Sequence, residues 1–197
     1  MRQIITLCGT NRPGNFTGKA LAVVEDELRT HPLELTSFHA AELQLDFPGR
    51  PPTEDAQRLK EAASAASGIV IATPEYHGGY SAMTKLMIEN LGFPSALGGK
   101  PVALLGVAAG RIGAIKSLEQ LRGVCSHTGA IVLPGSVSIA GVQQAFDAEG
   151  RCTDEAVEGA LRGLGTALLE FIKDYVCPKH ALEALVRGEG APWVAEV

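Results

Sequence analysis

Gln3-Ile-Ile-Thr-Leu-Cys8, followed at once by Gly9-Thr-Asn-Arg-Pro-Gly-Asn-Phe-Thr17, is the stretch that decides the fold. Its first six residues are a run of strand length, apolar almost throughout, and Gly9 ends it. Residues 17–29 then place Leu21, Val24 and Leu28 on one helical face. A strand that is apolar on both faces needs a covering layer on each side, which is the situation of a strand in a parallel sheet. The chain therefore opens as strand, long loop, helix.

The same unit repeats outward from there. Residues 33–38 alternate as a strand, and a Pro-rich turn, Phe47-Pro-Gly-Arg-Pro-Pro52, follows. Thr53 with Glu54 and Asp55 starts a helix that runs to about residue 66, since acids favour the first helical turn. Residues 68–73 (GIVIAT) form a second buried strand, which Pro74 is expected to stop. Residues 81–91 read as helix and 101–107 (PVALLGV) as another buried strand. Residues 113–128 carry Ile115, Leu118, Leu121 and Cys125 on one helical face, and 130–133 form a short strand ending at Pro134. The longest helix is expected over 151–175, with Val157, Leu161, Leu164, Leu168 and Ile172 as its stripe and Thr153 as its cap. The last 20 residues carry no clear period.

Five strands alternating with five helices predict an α/β fold, a doubly wound parallel sheet. The length of 197 residues suits one such domain, here 1–176, with 177–197 as a tail packed on the domain or on a neighbouring subunit. Trp193 beside Pro192 is a candidate anchor for that tail. Seventeen basic and 22 acidic side chains leave a net charge of −5, which argues against nucleic acid as a partner. No stretch approaches the roughly 20 apolar residues that span a bilayer, so no membrane association is expected. The first apolar run is too short for a signal-peptide core and ends in Gly-Thr-Asn-Arg, so a cytoplasmic location is expected. Cysteines 8, 125, 152 and 177 have neither CxxC spacing nor a histidine at zinc-ligand spacing. They read as reduced thiols in or near the core, and no metal site is expected.

Ligands of doubly wound sheets sit beyond the carboxyl ends of the strands. Three loops there are rich in glycine and polar groups. In the first, residues 9–17, Thr10, Arg12, Asn15, Thr17 and the free N–H groups of a helix start offer donors suited to a monophosphate. The loop is neither GxGxxG nor GxxxxGK[ST], so a dinucleotide or an ATP phosphate chain fits it poorly. The competing reading is a plain turn with a helix cap at Asn15 or Thr17. In the second loop, Thr73-Pro-Glu-Tyr-His-Gly-Gly-Tyr80, Pro74 fixes the chain while Gly78 and Gly79 let backbone approach a flat ring closely. The third, Ala108-Ala-Gly-Arg-Ile-Gly113, could close on the ring's other edge. No Gly-x-Ser-x-Gly elbow occurs, which argues against an α/β-hydrolase.

With these loops the chain resembles the NADPH-dependent FMN reductases of the flavodoxin-like fold, a family that includes soluble quinone, chromate and azo-dye reductases. The family's first loop has the form G-S-x-R-x-x-S-x-N, where this chain has Gly9, Thr10, Arg12, Asn15 and Thr17. Its ring loop has the form T-P-E-Y-N-G-S-Y-P-G, where this chain has Thr73 through Ser81. Lys85 and the Leu118–Arg122 stretch also match, and the likeness covers roughly residues 3–175. Asn15 stands in place of a hydroxyl, Thr17 in place of an amide and His77 in place of Asn.

The resemblance implies a three-layer αβα sheet with strand order 2-1-3-4-5. It implies FMN, its phosphate on Thr10, Arg12, Asn15 and Thr17 beside Phe16. It also implies a flavin ring against Pro74, Glu75, Tyr76, His77 and Gly78, with its far edge near Ala109 and Gly110. NADPH or NADH would be the electron donor. Arg111 would reach a phosphate of that donor, and Tyr80 would border the substrate. His77 would modulate the site, carrying charge toward an anionic acceptor. No other catalytic side chain is implied, because the flavin carries the chemistry.

Glu75, the only acid in the ring loop, reads as a structural hydrogen-bond partner or a general acid; its carboxylate could orient a neighbouring loop or subunit. Met83, Leu86, Met87, Ile88 and Leu91 give the 81–91 helix a wide apolar surface, expected to build a homodimer or homotetramer. Tyr80 or Phe93 of a second copy would then wall the site. The acceptor is expected to be a quinone, free flavin or a similar small acceptor such as chromate or an azo dye. A flavodoxin-type electron carrier is the alternative. Carriers are usually far more acidic and bind phosphate through hydroxyls without an arginine, so the charge of −5 and Arg12 both favour the enzyme.

Overall fold

The structure, a computed structural model, describes residues 3–188. Strand β1 (Gln3–Cys8) is followed by α1 (Phe16–Arg29), β2 (Glu34–His39), α2 (Glu54–Ala65), β3 (Gly68–Tyr76), β4 (Gly79–Tyr80) and α3 (Ala82–Glu89). Then come β5 (Pro101–Val107), α4 (Ile115–His127), β6 (Ile131–Val132), β7 (Val137–Ile139), α5 (Glu155–Phe171) and α6 (Cys177–Val186). The parallel sheet runs β2-β1-β3-β5, and its fifth place is shared by β6 and β7. This is the expected doubly wound order.

Alternation along the strands divides the core into two layers. Ile4 faces α1 and α5 with Leu21, Val24, Leu28, Leu105, Leu161 and Leu168. Ile5 and Leu7 face α2, α3 and α4 with Leu59, Met87, Leu91, Leu104 and Leu121. Thr6 points to the first layer, where its hydroxyl donates to the buried Glu25 carboxylate at 2.5 Å. Ser37 and Arg29 donate to the same carboxylate at 2.7 and 3.1 Å, so a buried acid with full partnership pins α1 to β1 and β2. Met87, Ile88 and Leu91 are buried in their own chain, and Met83 packs on the same core. The wide apolar surface of α3 is thus mostly consumed internally, contrary to the reading that assigned it to a subunit contact.

Four local expectations change. β3 continues through Pro74 to Tyr76, because Pro74 stands where a missing N–H costs nothing. Gly9 N–H donates to the Ala72 carbonyl, so that side of β3 faces β1. Two residues on, Pro74 faces the same side, where β1 has already ended at Cys8. Second, the chain turns back after Tyr76 into β4, pairing Glu75 with Tyr80 and Tyr76 with Gly79. His77 and Gly78, both at positive φ (51° and 75°), form a two-residue turn of the type that matches strand twist.

Third, the fifth strand is interrupted at Pro134-Gly135, and the Arg122 guanidinium meets the Leu133 carbonyl (2.9 Å) and the Ser136 hydroxyl (2.8 Å) there. Fourth, Asp154 rather than Thr153 caps α5, accepting from Ala156 and Val157 N–H groups. α5 then passes through a π turn at Ile172–Val176 into α6, so the boundary expected after residue 176 falls inside one helical run. The π turn precedes Pro178, which has no N–H to give to a regular helix. Residues 189–197, with Trp193, lie outside the described residues.

A knot of buried hydroxyls joins β1, β3 and α3. Ser81 caps α3, its Oγ accepting from Thr84 N–H at 3.0 Å and donating to the Gly9 carbonyl. Thr84 Oγ1 lies 3.2 Å from that carbonyl and 3.0 Å from Thr73 Oγ1, and Ser81 N–H donates to Thr73 Oγ1 at 3.1 Å. A Cβ on Gly9 would stand 1.8 Å from Thr84 Oγ1. Gly9→Ala should therefore lower stability by about 3 kcal/mol in urea denaturation, through overpacking and lost buried hydrogen bonds. A loss below about 1 kcal/mol would contradict this packing.

Cys8 and Cys125 are buried, and burial pushes both thiols up to about 12. Cys152 and Cys177 are half-buried. In the unfolded chain a thiol ionises near its ordinary value, so between about pH 9 and 12 only the unfolded state loses these two protons. Stability should fall as pH rises through that window. Iodoacetamide on the native protein should label Cys152 and Cys177 alone, and labelling of Cys8 at the same rate would contradict the burial.

Candidate active site

The first loop leaves β1 at Gly9 and enters α1 at Phe16. Asn15 caps α1, its side-chain oxygen accepting from Gly18 N–H at 2.6 Å while its amide donates to the Arg12 carbonyl at 2.8 Å. Thr10 is buried; its hydroxyl accepts from Arg12 N–H at 3.3 Å and lies 3.4 Å from the Tyr76 hydroxyl. Both side chains thus shape the loop from within. The N–H groups of Phe16 and Thr17, in the first turn, have no partner inside the helix. The exposed Arg12 guanidinium stands 5.9 Å from the centroid of the Tyr76 ring, so charge and ring converge at one place.

A cleft of about 400 Å3 opens there, lined among others by Arg12, Asn15, Phe16, Thr17, Pro74, Glu75, Tyr76 and Ala109. Eight of the residues expected from the sequence meet in it. One end carries the α1 N-terminus and Arg12, a cradle for a phosphate. The same lining holds the ring of Pro74 and the short side chains of Ala108 and Ala109. Its size lies within the range of ligand pockets, roughly 300–1,000 Å3, and its donor set suits a monophosphate joined to a flat ring. The residues present therefore fit FMN.

Two further lining residues, Val142 and Gln143, were not anticipated. They follow β7, and the interrupted fifth strand hides that position from a periodicity reading. Hydrogen bonds from Val142 N–H to the Ala108 carbonyl and from Gly141 N–H to the Gly110 carbonyl bring this segment to the third loop. A strand end followed by Gly141 was the available signal.

Six expected residues lie elsewhere. His77 and Gly78 form the tip of the β3–β4 hairpin, Gly110 and Arg111 are exposed on the third loop, and Thr10 is buried beneath the first. Tyr80 does not border the cleft within one chain: strand alternation places it with Glu75 on the opposite face of the hairpin from Tyr76. There it lines a larger groove of about 1180 Å3, bounded by the 46–52 turn, Lys60, Lys85, Phe93 and Gln120. The hairpin is the wall between the two.

Among the described residues, no helix is long and apolar enough to cross a membrane. The family profile of the NADPH-dependent FMN reductases matches residues 2–144, the span that holds the whole cleft. An FMN-dependent NADPH-azoreductase of Staphylococcus aureus is 29% identical over 142 residues, covering 68% of this chain and 74% of that one. A flavoenzyme NAD(P)H:(acceptor) oxidoreductase from Paracoccus denitrificans superposes with a TM-score of 0.72 at 25% identity, covering 89% of this chain and 99% of the other. An NADH:FMN oxidoreductase in its apo form superposes with a TM-score of 0.68 at 18% identity, covering 85% and 90%, and shares the fold. On the profile match and the cleft it encloses, the chain belongs to the NADPH-dependent FMN reductase family, as a flavodoxin-like NAD(P)H-dependent oxidoreductase that works with FMN.

Proposed function

We infer that this chain takes electrons from NAD(P)H and delivers them to a small acceptor: a quinone, free flavin, chromate or an azo compound. The observation that carries the reading is the cleft itself, whose lining joins the α1 N-terminus and Arg12 to Pro74, Tyr76 and the short side chains of Ala108 and Ala109. FMN, when bound, supplies the two-electron chemistry, accepting hydride from the nicotinamide and passing electrons to the acceptor. Everything else asked of the chain is binding and orientation.

Arg12 and the N–H groups of Phe16 and Thr17 hold the phosphate, with the Thr17 hydroxyl beside them. Asn15 and Thr10 act one step back, by keeping the loop in shape. Pro74, Tyr76, Ala108 and Ala109 supply the ring's surroundings, with Gly110 next along the third loop. His77 and Gly78 offer backbone at the hairpin tip, and a His77 ring N–H is available to donate to an anionic acceptor. Arg111 is exposed on the third loop, and in this reading it meets a phosphate of the nicotinamide dinucleotide.

The working unit in this reading is a homodimer or homotetramer in the cytoplasm. Its contact is the larger groove rather than α3 alone: Phe93 is fully exposed and Phe47 two-thirds exposed along its rims. That contact brings Tyr80, and Phe93 of a second copy, to the side of the hairpin that one chain leaves open.

The test is the visible spectrum of the protein after addition of FMN and removal of the excess, followed anaerobically on adding NADPH. Retained flavin absorbance that bleaches is expected; retained absorbance that no nicotinamide bleaches would favour an electron carrier. Arg12→Ala should weaken FMN binding by about 2–3 kcal/mol, as the loss of a charged hydrogen-bond partner. Unchanged affinity in that variant would contradict the phosphate assignment.

A further inference from the structure

The N-terminus of α4 lies next to the third loop and lacks a cap from its own segment. Ala114, at the N-cap position, has no side-chain acceptor, and its N–H is given to Ser138 Oγ at 2.8 Å. The first residue to bond back along the helix is Leu118, to the Ala114 carbonyl. The N–H groups of Ile115, Lys116 and Ser117 thus need partners from elsewhere. Glu75 supplies one: its Oε2 accepts from Ser117 N–H at 3.1 Å, across 42 residues of chain. A carboxylate is the group that a helix N-terminus favours.

Three residues further along α4, on the same face, Gln120 donates its side-chain amide to the Gly78 carbonyl at 3.0 Å. The β3–β4 hairpin has only two pairs of facing residues, and a hairpin that small does not hold itself. It is fastened to α4 at two points, at its base through Glu75 and at its tip through Gly78. Alternation assigns the work cleanly. Glu75 borders the cleft as well, but its carboxylate is given to α4, while the side chains of Pro74 and Tyr76 stand on the other face of the strand, so a grip on one face sets the position of the other.

We propose that Glu75 is a positioning residue for the flavin site: by capping α4 from another element, it fixes the wall formed by Pro74 and Tyr76 at the distance from the third loop that the ring requires. This rests on the reading of the cleft as an FMN site. Its role is carried by the reach and acceptor oxygen of the side chain rather than by proton transfer.

The test compares Glu75→Ala, Glu75→Gln and Glu75→Asp by FMN titration well below each variant's unfolding midpoint, with exchange of the Ser117 amide followed in the same proteins. Glu75→Gln keeps an acceptor oxygen at the same reach and should bind FMN within about threefold of the parent. Glu75→Ala, and Glu75→Asp with its shorter reach, should bind about tenfold or more weakly and exchange the Ser117 amide faster. A purely structural role would lower the unfolding midpoint and leave the affinity and bound-flavin spectrum of the folded variants unchanged; that result would overturn the proposal. If the alanine variant does not fold, Glu75→Asp decides: parental affinity overturns the proposal and weakened affinity supports it. Should the parent protein itself retain no FMN, the flavin reading fails, and the positioning role fails with it. Ser117 exchange would then still report whether Glu75 caps α4.

Discussion

The carbonyl of Gly9, held by the hydroxyls of Ser81 and Thr84, is the contact on which the rest of the site depends. It ends β1 and begins the first loop; its partners begin α3 and reach Thr73, where the ring loop leaves the body of the sheet. One buried knot therefore sets the origin of two of the three loops that meet at the cleft. Water has no access there, so each hydroxyl must find a protein partner, and all of them do. Glycine at position 9 is the condition for the approach, because any side chain would occupy the place of Thr84 Oγ1.

From that origin the polar groups of the site divide into those that build and those that bind. Asn15, Thr10 and Glu75 all spend their side chains on backbone groups, closing the first loop and capping two helices. What faces the cleft beside them includes the guanidinium of Arg12, two amide groups at the start of α1, the Thr17 hydroxyl, Phe16, a proline ring, a tyrosine, short alanine backbone, Val142 and Gln143. Among the described residues, Arg12 is the one charged side chain left free in that lining, which suits flavin chemistry: the protein supplies position and charge, and the cofactor supplies reactivity. Open walls of this kind also discriminate weakly among flat acceptors.

Much of this was legible from sequence. Strands that are apolar almost throughout, such as Gln3–Cys8 and Pro101–Val107, fix a sheet covered on both faces, and glycine-rich loops after them mark the ligand end. Thr53 as a helix cap follows from local chemistry alone. The features that escaped were set by partners distant in sequence. Pro74 reads as a strand stop until one knows that β1 has already ended beside it. The fifth strand reads as complete at Leu133 because nothing local announces that Arg122 will take its carbonyls and let the chain rejoin the sheet at Val137. The two-residue turn at His77-Gly78 turned Tyr80 away from the cleft, and no period shorter than the hairpin itself carries that information. The apolar stripe of α3 is ambiguous for a related reason: one helix face cannot say whether its neighbour is its own sheet or a second copy.

The central claim is that the small cleft between the first loop and the β3–β4 hairpin is the flavin site, and that the larger groove behind the hairpin is not. Backbone amide shifts recorded while FMN is titrated into the isotopically labelled protein test it most directly. The account predicts that the amides of Phe16, Thr17, Tyr76 and Ala109 move first and furthest. Shifts centred instead on Lys60, Lys85 and Gln120, in the larger groove, would contradict it.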